Sequence, residues 1–169
     1  MKRSVMETAG FVLRPVLPFL VAVLLVIIAT IPYRFPGIPG IMPWLSLIAV
    51  YYWSMTRPDL MPIWAVFLVG ILRDSILGGP LGVSALVLMT AHLMGATQRR
   101  ALAGKPFLVG WTGFVVIALM AGGLSWLLSV FYFAAFVDPW PVFIQFLVTI
   151  VIYPVLWAVF RRLETTLRV

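Results

Sequence analysis

Cysteine is absent from the 169 residues, histidine occurs once, and acidic side chains number five. Disulfides and thiolate metal sites are therefore excluded, and a single imidazole among five carboxylates leaves little with which to assemble a metal cluster. Charge of either sign is also scarce. Charged residues form 10% of the chain and hydrophobic ones 63%, with a mean hydropathy of +1.13. An ordinary soluble domain is about 25% charged and roughly half apolar. So few polar groups cannot cover a water-facing globule, which excludes a soluble protein. Missing too are a nucleophile elbow, a phosphate-binding glycine loop, an HExxH pair and a paired-carboxylate pattern. No catalytic machinery is legible and no cofactor is implied. The net charge of +7 has no basic soluble module to carry it, which argues against nucleic acid as a partner. It fits a basic membrane face beside anionic lipid.

What the chain does have is long apolar runs. A transmembrane helix needs about 20 apolar residues to cross about 30 Å of hydrocarbon, and six candidates fit: Pro15 to Pro32, Pro43 to Thr56, Leu60 to Leu77, Leu81 to Gln98, Phe107 to Phe136, and Pro141 to Phe160. The second is short and could begin near Ile38. Turn residues mark the breaks: Pro36, Gly37, Pro39 and Gly40; Arg57-Pro58-Asp59; Gly78-Gly79-Pro80; Asp138-Pro139-Trp140-Pro141. A cleaved leader is the alternative for the first run, since Lys2 and Arg3 precede it, but no small-x-small pattern follows Ile28.

Six spans place both termini on one side. If that side is cytoplasmic, Lys2, Arg3, Arg14, Arg57, Arg99, Arg100, Lys105, Arg161, Arg162 and Arg168 fall inside, ten of the twelve basic residues. Arg34 falls outside and Arg73 within a span. Basic bias in short loops sets orientation, so the sequence predicts an all-α integral membrane protein of six transmembrane helices, N-in/C-in. It forms a single domain over residues 1–169 in a bacterial inner membrane. The tryptophans lie mostly near span ends, where their amphipathic rings suit headgroup depth.

The fifth run is too long for one crossing, about 45 Å as a helix. Either it tilts and projects, or Gly122-Gly123 breaks it and leaves Trp126, Phe131, Tyr132, Phe133 and Phe136 at the outer surface for a partner. Plain helix packing through Ala118, Gly122 and Ser125 is the simpler alternative.

Arg73 and Asp74 are the most informative polar residues, because a charge in hydrocarbon costs at least about 2.5 to 3.5 kcal/mol. Adjacent helical residues point about 100° apart, so their partners should come from elsewhere. If spans three and four form a hairpin turning at Gly79, Asp74 lies level with Ser84. Asp74 is then expected to fix the turn by accepting N–H bonds where the next helix begins, in preference to serving as a ligand or proton site. His92 lies well away and is expected to be neutral, bonded to a nearby oxygen. Gln98 and Gln145 read as interfacial or interhelical hydrogen-bonders and Pro154 as a kink in the last span.

The Pro43-Trp44 start of span two and the run from Gly70 to Gly82, with Gly70, Asp74, Gly78, Leu81 and Gly82 in the pattern G-x-x-x-D-x-x-x-G-x-x-L-G, resemble the rod shape-determining protein MreD family. Size, six spans, a basic C-terminal tail and Pro154 agree. The resemblance implies a non-enzymatic inner-membrane component of the bacterial cell-elongation machinery. It implies an MreC-like bitopic partner, and through that partner MreB, a SEDS glycosyltransferase and a penicillin-binding transpeptidase. It also implies a fold similar to the substrate-binding subunits of energy-coupling-factor transporters, which makes a vitamin-type transporter subunit the alternative function. Few outward polar groups beyond Arg34, Arg73, Asp74 and Asp138 are available for such a ligand.

Overall fold

The computed structural model describes residues 2–31, 42–102 and 104–167. Among these are six α-helices and no strand: α1 (Lys2–Thr30), α2 (Leu45–Thr56), α3 (Ile63–Leu77), α4 (Val83–Leu102), α5 (Phe107–Phe133) and α6 (Trp140–Leu167), with a 3-10 turn over Pro58–Leu60 between α2 and α3. Arg34, Arg168 and the turn residues Pro36, Gly37, Ile38, Pro39 and Gly40 lie outside the described residues, as do the side chains of Lys2, Arg3 and Arg14.

Several boundaries differ from the hydropathy reading. Helix α1 starts at Lys2 rather than Pro15, and α6 runs past Phe160 to Leu167. Hydropathy marks where a helix is apolar, not where its backbone bonding stops; the apolar part of α1 is Val16–Thr30. Helix α5 is continuous from Phe107 to Phe133, so the break considered at Gly122-Gly123 is absent. An interrupted backbone in an apolar medium leaves amides and carbonyls without partners, whereas a continuous helix satisfies them internally. Helices α5 and α6 have the length and composition to cross a membrane.

Helix α2 forms the centre. It has 12 residues, and every residue from Ser46 to Ser54 is buried. At about 18 Å the helix by itself covers only part of the roughly 30 Å of hydrocarbon, and a helix apolar on all sides belongs inside protein. Helices α1, α4 and α6 pack around it, α3 packs on α4 and α1, and α5 packs on α4 and α6. Trp44 and Trp53 are buried, 5% and 1% exposed, so the expectation of a headgroup position fails for these two. They fill the centre because α2 has no lipid-facing side. Trp64 and Trp140 are well exposed.

Aromatic rings knit α2 to its neighbours. Phe114 of α5 stacks on Tyr153 of α6 at 4.2 Å, and Tyr51 leans on both rings. The Tyr51 hydroxyl donates to the Gly110 carbonyl at 3.1 Å. Pro154 lies inside α6 and offers no N–H to the Ile150 carbonyl one turn back. That carbonyl accepts the Trp111 indole N–H of α5 instead, at 3.4 Å. The outward faces stay apolar: Leu20, Leu24 and Ile27 on α1 and Ile63, Trp64, Phe67 and Leu68 on α3 are all exposed.

Candidate functional site

The α3–α4 hairpin is held by a close approach and a buried carboxylate. At Gly70 the two backbones come so near that an added Cβ would stand 2.3 Å from the Ala85 Cα. One turn later Asp74 is buried. Its Oδ2 accepts the Gly82 amide at 2.8 Å, and both its oxygens accept the Ser84 amide, at 3.2 and 3.1 Å. The carboxylate therefore sits at the N-terminus of α4, where unpaired amides and the helix dipole favour an anion. Gly78 closes α3 in the left-handed region, and Gly82 also has a positive φ, 97°, the conformation that turns its N–H toward Asp74. Leu81 is 71% exposed at the tip and takes no part in this bonding.

Arg73 takes different partners. Its Nη1 donates to the Ser84 hydroxyl at 2.5 Å, and the guanidinium lies over the Trp44 ring, 4.6 Å from its centroid. Ser84 thus serves both neighbours, its hydroxyl for Arg73 and its amide for Asp74. Arg73 also lines a cleft of about 270 Å³ with residues of α1, the start of α2 and the start of α6.

The start of α2 is clamped by α6. The Trp44 amide donates to the Thr149 hydroxyl at 2.9 Å, and Gln145 Nε2 donates to the Met42 carbonyl at 2.9 Å. Toward the other end of α2, His92 Nδ1 and the Ser54 hydroxyl are 2.8 Å apart, and that hydroxyl donates to the Val50 carbonyl. With the hydroxyl proton so committed, Nδ1 carries the imidazole hydrogen. Near the same end Glu164 accepts from the Tyr52 hydroxyl at 3.1 Å and lies 4.0 Å from Arg57. Gln98 departs from its expected role in one respect: its Oε1 is buried with no hydrogen-bond partner among the described residues.

The aromatic end of α5 divides in two. Trp126 donates its indole N–H to the Val137 carbonyl at 2.9 Å and meets the Phe136 ring edge-on, so it positions the α5–α6 connection. Asp138 accepts the Trp140 amide at 3.0 Å and caps the start of α6. Phe131, Tyr132, Phe133 and Phe136 are exposed. Between α5 and α6 an apolar groove of about 210 Å³ is lined by Leu119, Gly122, Gly123, Trp126, Val142 and Phe146, among others.

Of the residues singled out by sequence, Gly70, Arg73, Asp74, Gly78 and Gly82 come together at the hairpin. Gly122, Gly123 and Trp126 share the groove, while His92 and Pro154 stand apart from both. Sequence reading missed Trp44 as the partner of Arg73, Thr149 as the clamp on α2, Ser54 as the partner of His92, and Glu164. Each lies on a different element from the group it partners, and no spacing rule connects them.

No curated protein and no solved structure matches the chain. A family model described as rod shape-determining protein MreD does match, over residues 9–163, from α1 through the hairpin into the last turns of α6. By that match the chain belongs to the MreD family of membrane proteins, whose role is in rod-shape determination.

Proposed function

We propose that the chain is a single six-span transmembrane domain, N-in/C-in in the bacterial inner membrane. It acts as a non-catalytic scaffold of the cell-elongation complex. Its partner is the membrane helix of an MreC-like bitopic protein, which links it to MreB and to the SEDS glycosyltransferase and penicillin-binding transpeptidase of wall synthesis. The observation that carries this reading is the groove between α5 and α6, lined by Gly122 and Gly123 together with the aromatic rings of Trp126, Phe143 and Phe146. Small residues let a second helix approach closely, and aromatic rings supply contact area around it. The apolar outward faces of α1 and α3 support the membrane placement. The six-helix arrangement is compatible with the fold of energy-coupling-factor substrate-binding subunits.

The test uses the absence of cysteine. Single cysteines at Leu119, Gly123 and Phe143 in the groove, and at Leu24 and Phe67 on the opposite faces, are crosslinked in native membranes. Partners are identified by mass spectrometry. Adducts with an MreC-like helix from the groove positions alone are expected. Adducts only from Leu24 and Phe67, or copurification with ABC-type ATPases and a coupling subunit instead, would overturn the proposal.

A further inference from the structure

Arg73 is a cation with donors to spare. A guanidinium carries five N–H donors, and one hydrogen bond, to Ser84, is formed. The neighbouring Asp74 offers no pairing, since both its oxygens face the amides of Gly82 and Ser84. The ion pair of Arg57 with Glu164 lies elsewhere, and neither residue lines the Arg73 cleft. Asp74 attracts the guanidinium through space but leaves its spare donors without an acceptor, and unpaired donors in a low-dielectric region are poorly stabilised.

The cleft supplies a place for that anion. Its volume of about 270 Å³ lies just under the roughly 300–1,000 Å³ of small-ligand sites, the scale of a headgroup rather than a whole lipid. Ser46 and Leu45 bring the first turn of α2 to its wall, and Pro141 and Val142 bring the first turn of α6. The first turn of α2 therefore sets its positive end beside Arg73, while the start of α6 is already capped by Asp138. Gln145 adds one polar side chain, and the side away from it is apolar: Val26 and Ala29 of α1 and Leu77 of α3, which is 51% exposed. A free anion would leave that wall uncovered, whereas an acyl chain attached to the anion would run along it and out past Leu77.

From this convergence we infer that the cleft binds the phosphate of an anionic membrane lipid, with Arg73 on the phosphate and the α1–α3 wall on the first methylenes of the tail. A phosphate offers several acceptor oxygens to the forked donors of arginine.

The test uses the full-length protein in neutral detergent. Native mass spectrometry and thermal unfolding are titrated with dioleoylphosphatidylglycerol, dioleoylglycerol and inorganic phosphate. Phosphatidylglycerol is expected to bind and stabilise, and dioleoylglycerol is expected not to. Arg73→Gln should weaken phosphatidylglycerol binding about tenfold or more, the loss of one charge-assisted contact, while Arg73→Lys retains most of it. Ala29→Phe fills the tail side without touching the cation and should weaken binding as well, which keeps the inference testable if Arg73→Gln misfolds. Equal binding by the wild type and both Arg73→Gln and Ala29→Phe would overturn the site. Arg73-dependent stabilisation by inorganic phosphate alone would overturn the lipid as occupant and leave a free-phosphate site.

Discussion

Gly70→Ala tests whether backbone contact sets the hairpin. The new Cβ would stand 2.3 Å from the Ala85 Cα and 2.6 Å from its nitrogen, against about 3.5–4.0 Å for relaxed carbon contacts. Neither atom is the end of a flexible side chain, so α3 and α4 must separate by about 1 Å or more. One turn away, Asp74 holds the Gly82 and Ser84 amides at 2.8 and 3.1 Å. The same displacement would carry both past hydrogen-bonding reach. Overpacking costs about 1–3 kcal/mol, and each lost bond to a buried carboxylate costs roughly 1.5–3 kcal/mol more. The expected destabilisation is therefore about 4 kcal/mol or more. It is measured as reversible unfolding in mixed micelles, followed by tryptophan fluorescence. Ala85→Gly in the same chain should restore little, because the nearest atoms belong to the backbone. Gly123→Ala is the control: nothing lies within 4 Å of its added Cβ, so it should stay within about 0.5 kcal/mol of the wild type. A Gly70→Ala protein as stable as the Gly123→Ala one would refute the reasoning.

Three further outcomes are expected. Asp74→Asn keeps an acceptor but removes the charge at the α4 N-terminus, and should cost about 1.5–3 kcal/mol while weakening complex assembly; a fully assembled, shape-competent Asn variant would sink that role. Ser54→Ala deprives the buried His92 Nδ1–H of its partner and should lower stability by about 1–3 kcal/mol; thermal unfolding unchanged from the wild type would contradict the contact. Trp111→Phe should cost about 0.5–1.5 kcal/mol by freeing the Ile150 carbonyl. In a Pro154→Ala background, where a backbone N–H returns to that carbonyl, the cost should vanish. An equal loss in both backgrounds, read by a double-mutant cycle, would show that the indole acts elsewhere.

Much of the hairpin is legible from sequence because its geometry is local. Asp74 and Ser84 stand equally far from Gly79, and an antiparallel pair of helices brings such residues level. The glycines of the motif declare a tight turn. The partner of Arg73 is not legible, because Trp44 belongs to a helix whose placement no spacing fixes. The burial of α2 is hidden for a related reason. In an apolar medium lipid-facing and protein-facing sides are both apolar, so the periodicity that locates a buried face in water disappears. Exposed Phe67 and buried Val66 are neighbours on α3, and composition alone does not separate them. Helix ends elude hydropathy too, as polar residues before Pro15 and after Phe160 continue the helices.

The burial of α2 has a consequence for biogenesis. Its amino end is tied to Thr149 and Gln145, contacts that span 105 and 103 residues of chain, and its carboxyl end to His92 across 38. Helix α2 covers only part of a bilayer's thickness and lacks the clamps on its amino end until α6 has been made. Packing around α2 therefore closes late: a helix translated some hundred residues downstream completes it. A nascent chain stopped before Trp140 leaves the Trp44 amide and the Met42 carbonyl without the α6 groups that pair with them.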